Sequence, residues 1–211
     1  MGCMWVTSNV CPGSRCATAP DIYKPGLSCL TRGPTPCAPT DYNYRWKRSA
    51  GRIHPMAMAQ HVSRYLTEHE IPYEVLTHPP TMSSLETAAS AHIPGDCLAK
   101  PVILQDDQGY IMALIPATHR LDLQALDSHL HSHVEMAEEP ELAALFEDCE
   151  LGAMPALGPA YGLRTLVDSH LAEQPDIYFD AGDHECLVHV DGEALFEQMD
   201  GIELGEFSHH M

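Results

Sequence analysis

The chain has 211 residues, 45% of them apolar, which suits one globular domain with an appendage. No run of about 18 apolar residues occurs and no charged region precedes an apolar core at the N-terminus, so neither a membrane span nor a secretory signal is expected. Charge divides unevenly: residues 1–54 hold seven Lys/Arg and two Asp/Glu, a balance of +5, and residues 55–211 hold four and 28, a balance of −24. Such asymmetry marks two physically different pieces.

Residues 1–55 are rich in Pro, Gly, Ser and Thr, with "CPGSRCATAP" and "TRGPTPCAPT" as breaker chemistry lacking flanking elements. They read as a disordered or non-native extension, with Met56 or Met58 as a sensible start. Residues 56–205 read as the folded domain and 206–211 as a tail. No CxxC pair occurs, which argues against a zinc ribbon or a thioredoxin-like site.

Regular structure is predicted from Met58, where Met58, Val62, Tyr65 and Leu66 share one helical face. A strand follows at Tyr73–Thr77, stopped by "HPPT". Ser83 and Glu86 match a capping box opening a helix whose inner face is Leu85, Ala88 and Ala89. Lys100–Gln105 and Tyr110–Ile115 form a hairpin turned by "DDQG". Asp122 caps a helix with Leu123, Leu126 and Leu130 on one side. Another helix carries Pro140 in its first turn and turns Leu142, Leu145 and Phe146 inward. A Gly/Pro-rich loop, Cys149–Gly162, leads to strands at Leu163–Val167, Ile177–Asp180 and Cys186–Val190, and a helix near Glu193–Met199 closes the domain. About six strands interleaved irregularly with short helices predict an α+β fold.

Lys100 is the sole lysine after residue 54. It is either a solvated strand-end side chain or a cation at a cleft edge, where a partly dry ammonium binds phosphate or polarises a carbonyl strongly. The loop "CELGAMPALGPAYG" is either a long connection or a ligand loop. Gly152, Gly158 and Gly162 would let its backbone approach a ligand, and Pro155 and Pro159 would stiffen it. His129, His131 and His133 alternate after a helical pattern, which suits a solvated helix end better than a metal site. His184, in the polar turn "DAGDHE", is open to either a structural or a site reading. No hydrolase triad signature, P-loop or dinucleotide fingerprint is present.

Taken together, "GDCLAKPVILQDDQGYIMALIPATHRLDL", "CELGAMPALGPAYG" and "DIYFDAGDHECLVHV" resemble the YbaK/EbsC-type aminoacyl-tRNA deacylases, also called the prolyl-tRNA-synthetase-associated domain. The resemblance runs from about Met58 to Val190. It implies a mixed, partly closed sheet of six to seven strands with helices outside, and hydrolysis of mischarged tRNA after release from a synthetase, in the cytoplasm and without a cofactor or metal. In that family a lysine at the place of Lys100 is the central site residue, facing a loop at the place of Gly152–Pro155. The family commonly has two adjacent prolines where this chain has Pro155-Ala156.

On that reading Lys100, Gly152 and His184 are the catalytic candidates. Lys100 would contact the terminal phosphate or aminoacyl carbonyl, N–H groups near Gly152 would hold the carbonyl oxygen, and His184 would assist. Arg120, Met154, Pro155 and Gly158 are the substrate-binding candidates. The implied partners are the acceptor end of mischarged tRNA and an aminoacyl-tRNA synthetase, with no membrane and no DNA. Two other readings stay open: a non-catalytic module binding an aminoacyl or nucleotide ligand or a synthetase, and a metal-binding protein using some of the 14 histidines.

Overall fold

A computed structural model describes residues 58–211. The expected N-terminal extension lies outside the described residues, apart from which the chain reads in the predicted order. Helix α1 (Gln60–Glu68) buries Val62, Tyr65 and Leu66, the face its spacing predicts. Strand β1 is Tyr73–Thr77 and helix α2 is Ser84–Ser90. The Ser83 side chain caps α2 by accepting from the Glu86 N–H, but the Glu86 carboxylate accepts from Met82 N–H rather than closing the box on Ser83. The inner face is also rotated: Thr87 and Ala88 are buried, whereas Leu85 and Ala89 are exposed. Thr87 is drawn in by bonds to Ser83 O and Thr81 Oγ1.

The hairpin forms as expected from β2 (Ala99–Asp106) and β3 (Gly109–Pro116), paired antiparallel. Asp106 Oδ1 accepts from the N–H groups of Gln108 and Gly109, and Gly109 takes φ 134°, which a side chain would resist. Then come β4 (His119–Leu121), α3 (Leu123–Leu130, capped by Asp122), β5 (Glu135–Met136) and α4 (Glu139–Leu145). A 3-10 turn (Gly158–Tyr161) precedes β6 (Arg164–Asp168), the one-turn helix α5 (Ser169–Ala172), β7 (Asp176–Asp180) and β8 (Cys186–Asp191). Helix α6 (Gly192–Gln198) and two short strands, β9 (Glu203–Gly205) and β10 (Ser208–His210), finish the described residues.

One sheet has the order β1-β8-β7 and another β5-β2-β3-β6-β9, with β10 paired to β4 alone. The β3–β6 and β6–β9 pairs are parallel, so the larger sheet is mixed. A parallel bridge between Leu98 and Tyr178 joins the start of β2 to β7, and the Tyr178 N–H donates to Cys97 O at 2.9 Å. The result is the partly closed α+β arrangement anticipated, with more and shorter strands than the six or seven expected. Residues 206–211, expected as a tail, carry β10. Its anchor is Phe207, 1% exposed beside Leu126 and Ile115, a burial worth about 1.5–3 kcal/mol.

Alternation along β2 assigns its two faces. Ala99 and Ile103 join Met112, Leu114, Phe179 and Val188 in the main core between the sheets. Val102 and Leu104 join Ile111, Ala113, Leu126 and Phe207 in a second core on the other side. Lys100 belongs to this second face.

Candidate functional site

An open cleft of about 620 Å³ lies where three loop segments meet: residues 80–82, 150–152 and 183–185. The first is the "HPPT" breaker leading into α2. The second begins the Gly/Pro-rich loop, and the third is the turn between β7 and β8. Turn geometry holds the third segment, because Asp183 Oδ1 accepts from the N–H groups of Glu185 and Cys186. The second is tied to the third by the Glu150 N–H, which donates to Gly182 O at 2.8 Å.

Gly152 and His184 face each other in this cleft. His184 takes φ 58°, a left-handed conformation, and its Nε2 lies 2.9 Å from Leu151 O. A carbonyl only accepts, so Nε2 carries a proton, and in the neutral tautomer with that proton Nδ1 is an acceptor. Gly152 takes φ 90°, and a side chain there would reach 3.5 Å from the His184 ring. The backbone conformation, more than space, demands glycine. Among the described residues the Gly152 N–H makes no hydrogen bond to the fold.

Behind the cleft the loop is braced. Asp148 accepts from the His61 N–H and pairs with its ring, each at 2.9 Å, and accepts from Tyr161 OH at 3.2 Å. Burial pushes the Asp148 carboxyl up, but these bonds together hold it below the ordinary aspartate value. Cys149 touches Tyr161 OH at 3.2 Å, and burial pushes its thiol up to about 12. Such a thiol is a packing group rather than a nucleophile.

The other expected site residues are placed elsewhere. Pro155 and Gly158 are buried in the loop's interior, and Met154 is half-buried against the main core. Gly158 is needed because a Cβ there would collide with Thr165 Oγ1. Ala156, where the family pattern has a second proline, is 1% exposed within the same core.

Lys100 does not line the cleft. Its Nζ donates to His119 O at 2.7 Å, on the second face of the sheet. Burial, and then the Arg120 charge, pull its pKa below the ordinary lysine value. The structure therefore forms two groups, Gly152 with His184 and Lys100 with Arg120. Helix α2 lies between the cleft segment that leads into it and the strand ends beneath it. Ala88 packs with Leu98 and Ala117, next to the residues that carry the lysine and the His119 carbonyl.

Sequence reasoning missed Thr81, Glu150, Asp183 and Glu185 as cleft residues. Only the breaker "HPPT" and the polar turn hinted at them, and both read first as punctuation. The three alternating histidines do not converge. His133 turns to Asp127 at 3.0 Å, His131 ends α3 with φ 53°, and His129 lies against Phe207.

A sequence model of the aminoacyl-tRNA editing domain matches residues 78–197, which hold all three cleft segments and Lys100. The chain belongs to the aminoacyl-tRNA editing domain family. Among solved structures, a candidate trans-editing enzyme for prolyl tRNA synthetase is 19% identical with a TM-score of 0.63, covering 75% of this chain and 99% of that one. A scaffold protein from computational epitope grafting gives 17% identity and a TM-score of 0.64, covering 75% and 100%. A candidate signal transduction protein from Marinobacter aquaeolei VT8 gives 22% and 0.57, covering 70% of this chain and 30% of that one. At these identities the likeness is one of fold. No curated protein matches the chain. No described helix is long and apolar enough to cross a membrane.

Proposed function

We propose that this chain is a trans-acting aminoacyl-tRNA deacylase that hydrolyses the ester of mischarged tRNA, with the acceptor end seated in the cleft. The observation that carries this reading is the Gly152 N–H, unbonded among the described residues, beside His184 in the lining of a cleft of about 620 Å³, in a chain of the editing domain family. That volume lies within the range of small-ligand sites, about 300–1,000 Å³.

An aminoacyl ester is activated relative to an amide, so no side-chain nucleophile or cofactor is required. A positioned water and a donor for the developing oxyanion suffice. The Gly152 N–H is that donor, and His184 Nδ1 is the acceptor that orients the water. Glu150, Asp183 and Glu185 line the cleft, with no Lys or Arg among its described lining residues. This charge suits the α-ammonium of an aminoacyl group. Lys100 and Arg120 supply positive charge for the acceptor phosphates, for which Lys100 must exchange its bond to His119 O. Acting on tRNA released from a synthetase, such an enzyme adds discrimination that a methylene-sized difference, about 1–3 kcal/mol, does not provide.

The competing reading is a non-catalytic module for an aminoacyl or nucleotide ligand. The engagement of Lys100 outside the cleft favours it. A panel of mischarged tRNAs incubated with wild type, Gly152→Val and Lys100→Ala separates the two. Turnover of at least one aminoacyl-tRNA, lost in Gly152→Val, supports the enzyme. Binding without turnover across the panel selects the module.

A further inference from the structure

A second polar cluster lies outside the cleft, where β4, the end of β6 and the start of α5 meet. His119 is 6% exposed and Asp168 is fully buried, whereas the His170 side chain is half exposed. One potential ligand atom from each lies within 4.8 Å of the others. Among the described residues these form the one group of three or more His, Cys, Asp or Glu side chains that converges in this way.

The cluster is oriented by the fold rather than by chance rotamers. Asp168 caps α5 through the His170 N–H, and its other oxygen accepts from the Phe207 N–H at 3.1 Å. Its Oδ1 lies 2.8 Å from His170 Nδ1. His119 Nδ1 lies 3.0 Å from Ser208 Oγ, which fixes the ring from the β10 side. The His119 and His170 rings meet edge to face, centroids 4.9 Å apart, and the His210 ring approaches His119 at 5.6 Å.

The geometry points to a site for a divalent transition ion of the zinc type, bound by His119, Asp168 and His170. Two imidazoles with one carboxylate are a borderline-soft donor set, suited to Zn²⁺ and unsuited to Mg²⁺ or Ca²⁺. With bonds of about 2.1 Å, ligands of a tetrahedral ion stand about 3.4 Å apart. The His170–Asp168 edge, now 2.8 Å, opens by about 0.6 Å to reach that length. The ion takes the place of the proton shared by those two atoms, and that proton leaves to solvent. The exposed His170 ring turns to open that edge, and the edges to His119, none longer than 4.8 Å, close toward the same spacing. His210 or a water fills the fourth position. Ser208 and the Phe207 N–H then act as the outer partners that hold the ligands in place. This inference is independent of the deacylase reading.

The test uses the full-length, untagged chain stripped with a chelator, titrated with Zn²⁺ against a chromophoric competitor and, separately, with Co²⁺ while visible absorption is followed. One ion per chain is expected, with a dissociation constant in the micromolar range or tighter and the intense Co²⁺ bands of four-coordinate geometry. His170→Ala should weaken binding at least tenfold while leaving circular dichroism unchanged. His133→Ala, away from the cluster, should leave binding as in wild type. Because His119→Ala removes a buried ring and can unfold the chain, the exposed His170 is the deciding position. No stoichiometric binding, or binding that survives His170→Ala undiminished, overturns the site.

Discussion

The cleft and the β4–β10 region reach polarity by opposite routes. Around the cleft the backbone sets the geometry: two left-handed residues, Gly152 and His184, a turn closed on Asp183, and a carbonyl holding the imidazole. Its side chains are largely exposed and few are bonded to one another. Around β4 the side chains set it: a fully buried carboxylate accepts from two elements, and an ammonium is committed to a backbone oxygen. An open site with spare donors can accept a ligand without rearrangement. A satisfied network must give up an internal bond first, and this separates Gly152 from Lys100 within one proposed reaction.

The sharpest way to break this comparison is Lys100→Ala. If its ammonium reaches the substrate in the transition state, single-turnover deacylation should fall about 10²–10³-fold, as for loss of one electrostatic donor, with an unchanged melting temperature. A fall in stability with unchanged turnover would confine Lys100 to its structural bond. Next in size is Gly158→Ala. Its new methyl group meets Thr165 in the packed loop, so denaturant unfolding should show a loss of about 1–3 kcal/mol.

His184→Ala comes third. Removing a group that orients water should cost about tenfold or more in rate while stability changes little. An unchanged rate in this variant would exclude the imidazole from the reaction.

The pH dependence of stability sharpens the contrast further. Asp148 is held below its ordinary value in the fold. Its contribution is fully present above the unfolded aspartate pKa of about 3.9 and is lost as pH falls through the lower folded value. Asp180 is raised, chiefly by burial, so its share runs the other way and favours the fold as pH falls. As pH falls through the raised folded value toward the unfolded aspartate value of about 3.9, thermal melts should therefore fall more steeply in Asp180→Asn than in wild type, and below that value the two should run parallel. The smallest effect is expected at Arg164, which grips Glu203 at 2.7 and 3.0 Å on the surface. Arg164→Ala should cost less than about 1 kcal/mol at moderate salt.

Elements with a local signal were legible in the sequence. The hairpin turned by Asp106 and Gly109, the Asp122 cap, the Pro140 helix and the strands β6 to β8 all announce themselves through periodicity or turn chemistry. The strands missed, β4, β5, β9 and β10, are two or three residues long and exist because distant chain segments pair with them, and the missed α5 is a single turn capped by Asp168. The phase of α2 was misread because Thr87 is buried by its hydroxyl bonds, which a hydrophobic pattern does not register. Gly152 and His184 were picked out, but their meeting across a cleft depends on the loop crossing to the β7–β8 turn. Asp168 and His170 stand two positions apart, but His119 joins them only through the fold, so the cluster of three has no spacing to read.

The pairing of β4 with β10 has a consequence for synthesis. His119 is bound by Ser208, 89 positions later, and the neighbouring Arg120 lies opposite His209 in the ladder. On the ribosome, the strand carrying Arg120 therefore stays an open edge until residue 210 has cleared the exit tunnel. A nascent chain stalled short of that point would expose unpaired strand to its neighbours on the polysome.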